Sequence, residues 1–527
     1  MAGHEQQSGH PSQCCCGGIH DEGLNRRGFL GTLGTAALGG STVFSAVGAA
    51  MAAQAPALQP ASPGGLTAGV PLKVQPVLTF GLHQRRPYTS WRSYGGLKTR
   101  QDVDQEAQRI QQELKELSAK AEFALEVQPV AVVGTDAEAA AAKAVAADVL
   151  LVYASGGPQH WLEQLAAAGK PAVMFLRHRS GPVYLWYEIA HFRFLRKSGD
   201  QSAEQHMDYD DVVVDDYGDI LWRLRALYGL RNTMGTKVLA IGGLAAYSAE
   251  GTKFGPDYAR NVWNFDIKTA THEDLKQRLD KARKDARAVQ EAQRRAEELL
   301  SQPNVKLQTD KQFVVNSFLA LAVIKQMMAE VGATNLGVAH CMGGLMQILQ
   351  TPPCLILAML NDEGDTAFCH ADFTHTPPGV LLRHISGRPS LVTNSHFPHH
   401  GMLTLAHCAA PRRMNGRDCE PTTIMTHFES DYGAATKIEY TKGQVITNIV
   451  PNLRCTKWLG FRGEVLASPS YDMCRSQIDL RIEGDWRRLL RNLQGFHTIT
   501  CYGDYLREVG YALKKVKIEW ENVSELA

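Results

Sequence analysis

Short, almost wholly apolar runs alternate with helical stretches through the first half of the chain. Residues 149–153 and 172–176 are such runs, and 237–241 leads directly into two glycines. A strand that is apolar on both faces must be covered on both faces, which is typical of parallel sheets flanked by helices. The pattern therefore predicts one α/β unit over residues 77–235 and a second over residues 236–351.

The remaining part of the chain, residues 352–527, has a different pattern. Short runs of alternating apolar and polar residues are separated by Gly, Pro and Asn, at 390–393, 422–426, 437–440, 444–450, 477–482 and 498–501. Alternation with a period of two indicates strands with one buried face, joined by turns. The predicted fold class is α/β, with two Rossmann-like α/β domains followed by a β-rich C-terminal domain.

The overall charge excludes one class of partner. Lys and Arg total 55 against 54 for Asp and Glu. A balanced surface has no net field with which to hold a polyanion, so no nucleic-acid partner is expected.

The N-terminus has the pattern of an export signal. Arg26 and Arg27 precede Gly28-Phe29-Leu30 and an uncharged run that ends near Ala53. Paired arginines before a weakly apolar run are typical of a twin-arginine signal, predicted over residues 1–55, with a periplasmic destination. A membrane-spanning helix is the alternative, but the run is rich in glycine, so no stable membrane insertion is expected after signal removal. Residues 56–76 are predicted to be a linker.

Apolar residues recur every three or four positions over residues 271–300 and would form one apolar stripe along a helix. This spacing predicts one amphipathic helix of about thirty residues. The stripe can pack against the sheet or against a neighbouring subunit, and we expect a homo-oligomer.

Histidines are concentrated in the third region, where eight of the nineteen lie between His370 and His427. Glu363, His370 and Asp372 fall within ten residues, and carboxylate oxygens with one nitrogen suit a hard divalent ion. The alternative is that Glu363 lies in an exposed turn and that Asp372 is a loop or cap residue. Most of the other histidines, including His399, are expected to lie at the rim or to be structural.

Two segments resemble the L-fucose and L-arabinose isomerases. Residues 495–504 contain a histidine before an apolar strand and then Gly-x-x-x-Asp, and residues 369–372 follow another apolar run. The resemblance implies that His497 and Asp372 bind a divalent metal, most readily Mn²⁺. His370 stands where that family has a glutamate, and the family's upstream glutamate has no clear counterpart here.

The resemblance also implies an activity, a metal-dependent aldose–ketose isomerisation through an enediol in carbohydrate metabolism. A small-molecule sugar would be the substrate, with His370 completing the metal site or acting as base and Glu363 as the remaining catalytic carboxylate. Arg475 and His427 are the expected substrate-binding residues, with a structural salt bridge as the alternative for Arg475. Two other functions stay open: an exported sugar-binding protein without the base, and a metal-dependent hydrolase or lyase acting on a glycoside.

Overall fold

The computed structural model describes residues 69–92, 97–195 and 206–525. The predicted twin-arginine signal therefore lies outside the described residues, as does most of the predicted linker. The linker prediction is wrong at its C-terminal end, because the first strand begins at Leu72 and its side chains are buried.

The elements follow in chain order. The strands are β1 Leu72–Thr79, β2 Leu125–Val127, β3 Ala131–Val133, β4 Val149–Ala154, β5 Ala172–Leu176, β6 Val212–Val214, β7 Lys237–Ile241, β8 Asp266–Ala270, β9 Val305–Gln308, β10 Asn335–Val338, β11 Thr366–Cys369, β12 Leu391–Ser395, β13 Met402–His407, β14 Thr422–His427, β15 Tyr432–Ile438, β16 Val445–Pro451, β17 Lys457–Ala467, β18 Ser476–Ile482, β19 His497–Tyr502 and β20 Glu519–Asn522. The α-helices are α1 Arg100–Lys120, α2 Asp136–Ala144, α3 Gln159–Ala166, α4 Leu185–Ile189, α5 Tyr217–Thr233, α6 Ala249–Trp263, α7 His272–Lys284, α8 Ala286–Leu300, α9 Lys311–Val331, α10 Met346–Leu349, α11 Cys354–Asp362, α12 Thr376–Ser386, α13 Trp486–Asn492 and α14 Leu506–Lys515.

The first sheet is parallel and buried on both faces. Its strands lie in the order β2-β1-β4-β5-β6, and β3 also pairs with β1. Leu151 and Tyr153 pack on one face with side chains of α1 and α5, whereas Leu150 and Val152 pack on the other with α2 and α3. This double coverage is the physical reason why these strands are continuously apolar.

A second parallel sheet has the order β11-β10-β7-β8. The predicted thirty-residue helix beside it is two helices, α7 and α8, which meet at Asp285. The Asp285 side chain accepts hydrogen bonds from the backbone N–H groups of Arg287 and Ala288, and so caps the start of α8. Leu275 and Ala296, both from the apolar stripe, are fully buried within this chain. The apolar stripe therefore packs in the core of this chain, and the homo-oligomer stays a prediction.

Helix α9 lies in the core of this second unit. In the described part of the chain it has the length and hydropathy of a membrane span, but 61% of its apolar window is buried inside the structure. Phe318, Leu321 and Ile324 contribute to the same core as strands β7 and β10.

The C-terminal part contains an antiparallel barrel. Its strands run β16-β19-β12-β13-β18-β17, and pairing of β16 with β17 closes the barrel, while β20 adds to β17 in parallel. The prediction of a mixed α/β fold with a β-rich C-terminal region is therefore confirmed. Strand β11, which lies after the predicted boundary at residue 351, nevertheless belongs to the second sheet.

The second sheet and the barrel meet where the candidate site lies. Strand β11 ends at Cys369, α12 begins at Thr376, and His497 opens β19 opposite Asn394 of β12. The loop from β11 to α12 thus reaches the first residue of a barrel strand. This edge of the sheet is where parallel α/β folds usually bind ligands.

Candidate metal centre

Three buried side chains converge at this junction. Asp372 lies in the loop after β11, His375 immediately precedes α12, and His497 is the first residue of β19. One potential ligand atom from each lies within 4.8 Å of the others. All three residues are at most 7% exposed. The structure thus brings together Asp372 and His497, as the sequence predicted, and adds His375.

The Asp372 carboxylate is held in place by backbone donors. Its Oδ1 accepts from the N–H of Thr374 at 2.8 Å, and its Oδ2 accepts from the N–H of Tyr247 at 3.3 Å. Burial on its own raises the pKa of Asp372, but His375, His497 and the N–H of Thr374 together outweigh it and hold that pKa below its usual range. The carboxylate therefore carries the negative charge that metal binding requires.

The imidazole of His497 has the complementary property. Burial lowers its pKa well below the ordinary value, and the nearby rings of His375 and His370 lower it further. A neutral imidazole keeps the nitrogen lone pair that a metal ion needs. The ring lies edge-on to Tyr247, with centroids 5.5 Å apart.

His375 shows most directly that the site fits a metal ion. It is fully buried, and neither ring nitrogen makes a hydrogen bond. Its Nδ1 lies 3.5 Å from Oδ2 of Asp372. A buried imidazole without hydrogen bonds is costly, because it has given up its water without a replacement. A metal–nitrogen bond would satisfy one of these nitrogens.

The donor set fits the class of first-row divalent ions. Two imidazole nitrogens and one carboxylate resemble the sets that hold Mn²⁺, Fe²⁺ or Zn²⁺ with positions left for substrate or water. The sequence reasoning missed His375, although the Asp-x-x-His spacing before an apolar helix could have indicated it.

His370 lies beside this triad. Its ring centroid is 5.6 Å from that of His497, and its backbone is in the left-handed region with a φ of 66°. Burial lowers its pKa to about 4. Strained backbone of this kind is often found at functional sites. His370 faces a cavity next to the triad, and the triad forms without it, so the role of His370 as a metal ligand stays a prediction.

The cavity is small, with a volume of about 30 Å³. Its polar lining includes His370, His407, His427, Asn394 and Glu429. This volume accommodates an ion or about two to three water molecules, since a single water needs about 10–15 Å³ on the same measure.

Glu363 lies elsewhere, which corrects the expectation that it belongs to the site. It follows the last residue of helix α11 and precedes β11, whereas Asp372 follows β11. The two residues therefore lie at opposite ends of this strand. The carboxylate of Glu363 pairs with Arg295 and with Lys325, whose Nζ is 2.5 Å from Oε2. These partly exposed ion pairs favour the alternative stated above, that Glu363 lies in a turn and not in the metal site.

The two expected substrate-binding residues have different environments. The guanidinium of Arg475 donates to the carbonyl oxygen of Thr426 at 2.7 Å and lies over the ring of Phe428. These contacts indicate that Arg475 supports the loop after β14. His427 lines the cavity, and burial lowers its pKa to about 4.

Comparison with known proteins adds no assignment. No family model matches the chain, and no curated protein matches its sequence. The resemblance to the L-fucose and L-arabinose isomerases therefore rests on residues 369–372 and 495–504, and stays a prediction.

Proposed function

We propose that this chain is a metal-dependent enzyme that interconverts an aldose and a ketose, with the metal bound by Asp372, His375 and His497. The observation that carries the proposal is the buried triad, whose ligand atoms lie within 4.8 Å of one another. The two ring nitrogens of His375 that make no hydrogen bond support it.

A bound divalent ion would supply Lewis-acid polarisation of the carbonyl and hydroxyl oxygens of an open-chain sugar. The chain would supply the proton transfer between the two adjacent carbons. Several proton acceptors line the cavity, and among them His370 is in ring contact with the triad residue His497, while Glu429 is the carboxylate of the lining. We assign proton transfer to His370 and Glu429, with Glu429 in the role that was expected for Glu363.

The dimensions of the cavity set a further requirement. A volume of about 30 Å³ is too small for a sugar and its ordered waters. One wall is formed by Cys341, Met342 and Met346, which lie in the segment between β10 and α11. Substrate entry on this proposal requires movement of that wall.

Other expectations belong to the same proposal. The two parallel sheets would be the cores of two Rossmann-like domains, and the chain would be exported by the twin-arginine route to the periplasm. It would act there as a homo-oligomer on a small sugar. Comparing the localisation of the full-length parent with that of a variant in which Arg26 and Arg27 are both lysine tests export, because the variant should stay in the cytoplasm as precursor.

Exchange of hydrogen at the substrate carbons tests the isomerase directly. Protein loaded with Mn²⁺ is incubated in D₂O with a panel of pentoses and deoxyhexoses, and deuterium at C1 and C2 is followed by NMR. We expect exchange with the parent protein and its loss in Glu429→Gln. The Glu363→Gln variant is the matched control and should exchange at the parent rate.

The outcomes separate the three functions. Metal and sugar binding without hydrogen exchange would contradict the isomerase and support an exported sugar-binding protein. Incorporation of oxygen from ¹⁸O-labelled water into a cleaved glycoside would instead support a metal-dependent hydrolase. An aldose–ketose product with deuterium at the reacting carbons would support the isomerase.

A further inference from the structure

Half of the fourteen residues that line the cavity beside the triad contain sulfur. These are five cysteines and two methionines: Cys341, Cys354, Cys369, Cys408, Cys474, Met342 and Met346. All eight cysteines of the described residues are thiols rather than disulfides. Thiolate and thioether sulfurs are ligands for soft or borderline metal ions rather than for hard ones.

Two of these thiols lie as close together as two ligands of one metal ion. The Sγ atoms of Cys341 and Cys369 are 3.7 Å apart. Cys369 is the last residue of β11, and Cys341 begins the short helical turn after the neighbouring strand β10. Because these two strands are paired in parallel, their carboxyl ends place the two thiols side by side. Both residues are buried.

The spacing discriminates between coordination geometries. With a metal–sulfur bond of about 2.3 Å, two sulfurs 3.7 Å apart subtend an angle of about 107° at the ion, which is close to tetrahedral. A linear two-coordinate ion would need the sulfurs about 4.6 Å apart at that bond length. The pair therefore fits an ion of the Zn²⁺ class better than a two-coordinate one.

The charge balance of a two-thiolate site favours the same class. Two thiolates cancel the charge of a divalent ion, and a neutral complex is the least costly one to bury. A hydrogen bond from Cys474 lowers the pKa of Cys408, another thiol of the lining.

We propose that Cys341 and Cys369 bind a thiophilic divalent ion of the Zn²⁺ class in this cavity, at a site separate from the Asp372–His375–His497 triad. Each thiol gives up its proton on binding, so that one ion displaces two protons. The other coordination positions face the cavity, where water can complete them.

Co²⁺ is the probe, because it substitutes for Zn²⁺ and its bonds to thiolates give a near-ultraviolet charge-transfer band that oxygen and nitrogen ligands do not. The reduced parent protein is titrated with Co²⁺ alone, and bound metal is counted by mass spectrometry. We expect the band in the parent, and we expect Cys341→Ser and Cys369→Ser to lose it together with one bound ion per chain.

Two controls separate this site from the triad and from unfolding. Asp372→Ala should keep the charge-transfer band while losing the other ion, and Cys419→Ser, whose thiol lies outside the cavity lining, should behave as the parent. Circular dichroism confirms that each variant is folded. Absence of the band in the folded parent, its persistence in both serine variants, or a Cys341–Cys369 disulfide in the mature protein would overturn the proposal.

Discussion

Replacing His375 with phenylalanine tests whether this buried imidazole is a metal ligand. The two ring nitrogens make no hydrogen bond, and the ring meets Phe368 edge-on with centroids 6.0 Å apart, so an apolar ring suits the position. In the metal-free protein, the variant removes a desolvation penalty of about 1–3 kcal/mol but leaves the Asp372 carboxylate without its nearest imidazole. These two effects oppose each other, so the informative quantity is the stabilisation that metal adds.

The magnitude follows from ligand linkage. Metal at 100 times its dissociation constant stabilises the parent by about 2.7 kcal/mol. Loss of one of three protein ligands should weaken binding by at least about 100-fold, which at the same metal concentration leaves about 0.4 kcal/mol. The expected difference in metal-dependent stabilisation is therefore about 2.3 kcal/mol. Urea unfolding of each protein with and without Mn²⁺ measures it.

A matched control lies on the same helix. His384→Phe changes another histidine of α12, one that is absent from the triad. It should keep the full metal-dependent stabilisation, whatever it does to the metal-free protein. Equal stabilisation of the parent and His375→Phe by metal would refute the assignment of His375 as a ligand.

Three further variants test the site and the surrounding fold. His497→Ala should weaken divalent-metal binding by at least about 100-fold in equilibrium dialysis, whereas His399→Ala, at an exposed position, should bind as the parent; equal affinities would contradict the site. Glu363→Gln should lower the free energy of unfolding by about 1 kcal/mol or less through its half-exposed ion pairs, with metal content unchanged; loss of metal would contradict its placement outside the site. Asp362→Asn should flatten the dependence of unfolding free energy on pH. Burial raises the pKa of Asp362 to about 7, so the folded protein binds this proton more tightly than the unfolded chain and stability falls as pH rises from about 4 to about 7. Urea unfolding across this range measures the slope, and parallel curves for parent and variant would contradict the reasoning.

The parallel sheets could be predicted because burial on both faces leaves a strong pattern. Residues 149–153 and 172–176 are strands as expected. The residues at 262–265 do not form a strand despite their apolar side chains, since α6 continues to Trp263 and Asn264 ends it in the left-handed conformation with a φ of 54°. The strand that follows, β8, has few buried side chains, so its sequence shows no apolar run. Edge strands of this kind leave little signal in the sequence.

The residues of the site could be predicted only in part, and the errors in that prediction have a geometric cause. Glu363 is nine positions from Asp372 in sequence, but β11 lies between them. A four-residue strand spans about 13 Å, enough to place the two carboxylates at opposite edges of the sheet. His375 and His497, in contrast, are brought together from distant positions by packing of the sheet edge against the barrel. Sequence proximity is therefore a poor guide to membership of this site.

The lining of the cavity also restricts how a sugar could bind beside the triad. Sulfur atoms are weak hydrogen-bond partners, so the wall formed by Cys341 and Met346 offers little to hydroxyl groups. The stronger hydrogen-bonding side chains facing the cavity are Asn394, His427 and Glu429, together with the imidazole of His370 next to the triad. A substrate would therefore direct its oxygen atoms towards these side chains and the metal, and its carbon-bound hydrogens towards the sulfur wall. Once movement of the wall has enlarged the cavity, a sugar with an apolar methyl group in place of one hydroxyl would suit this arrangement better than its fully hydroxylated counterpart.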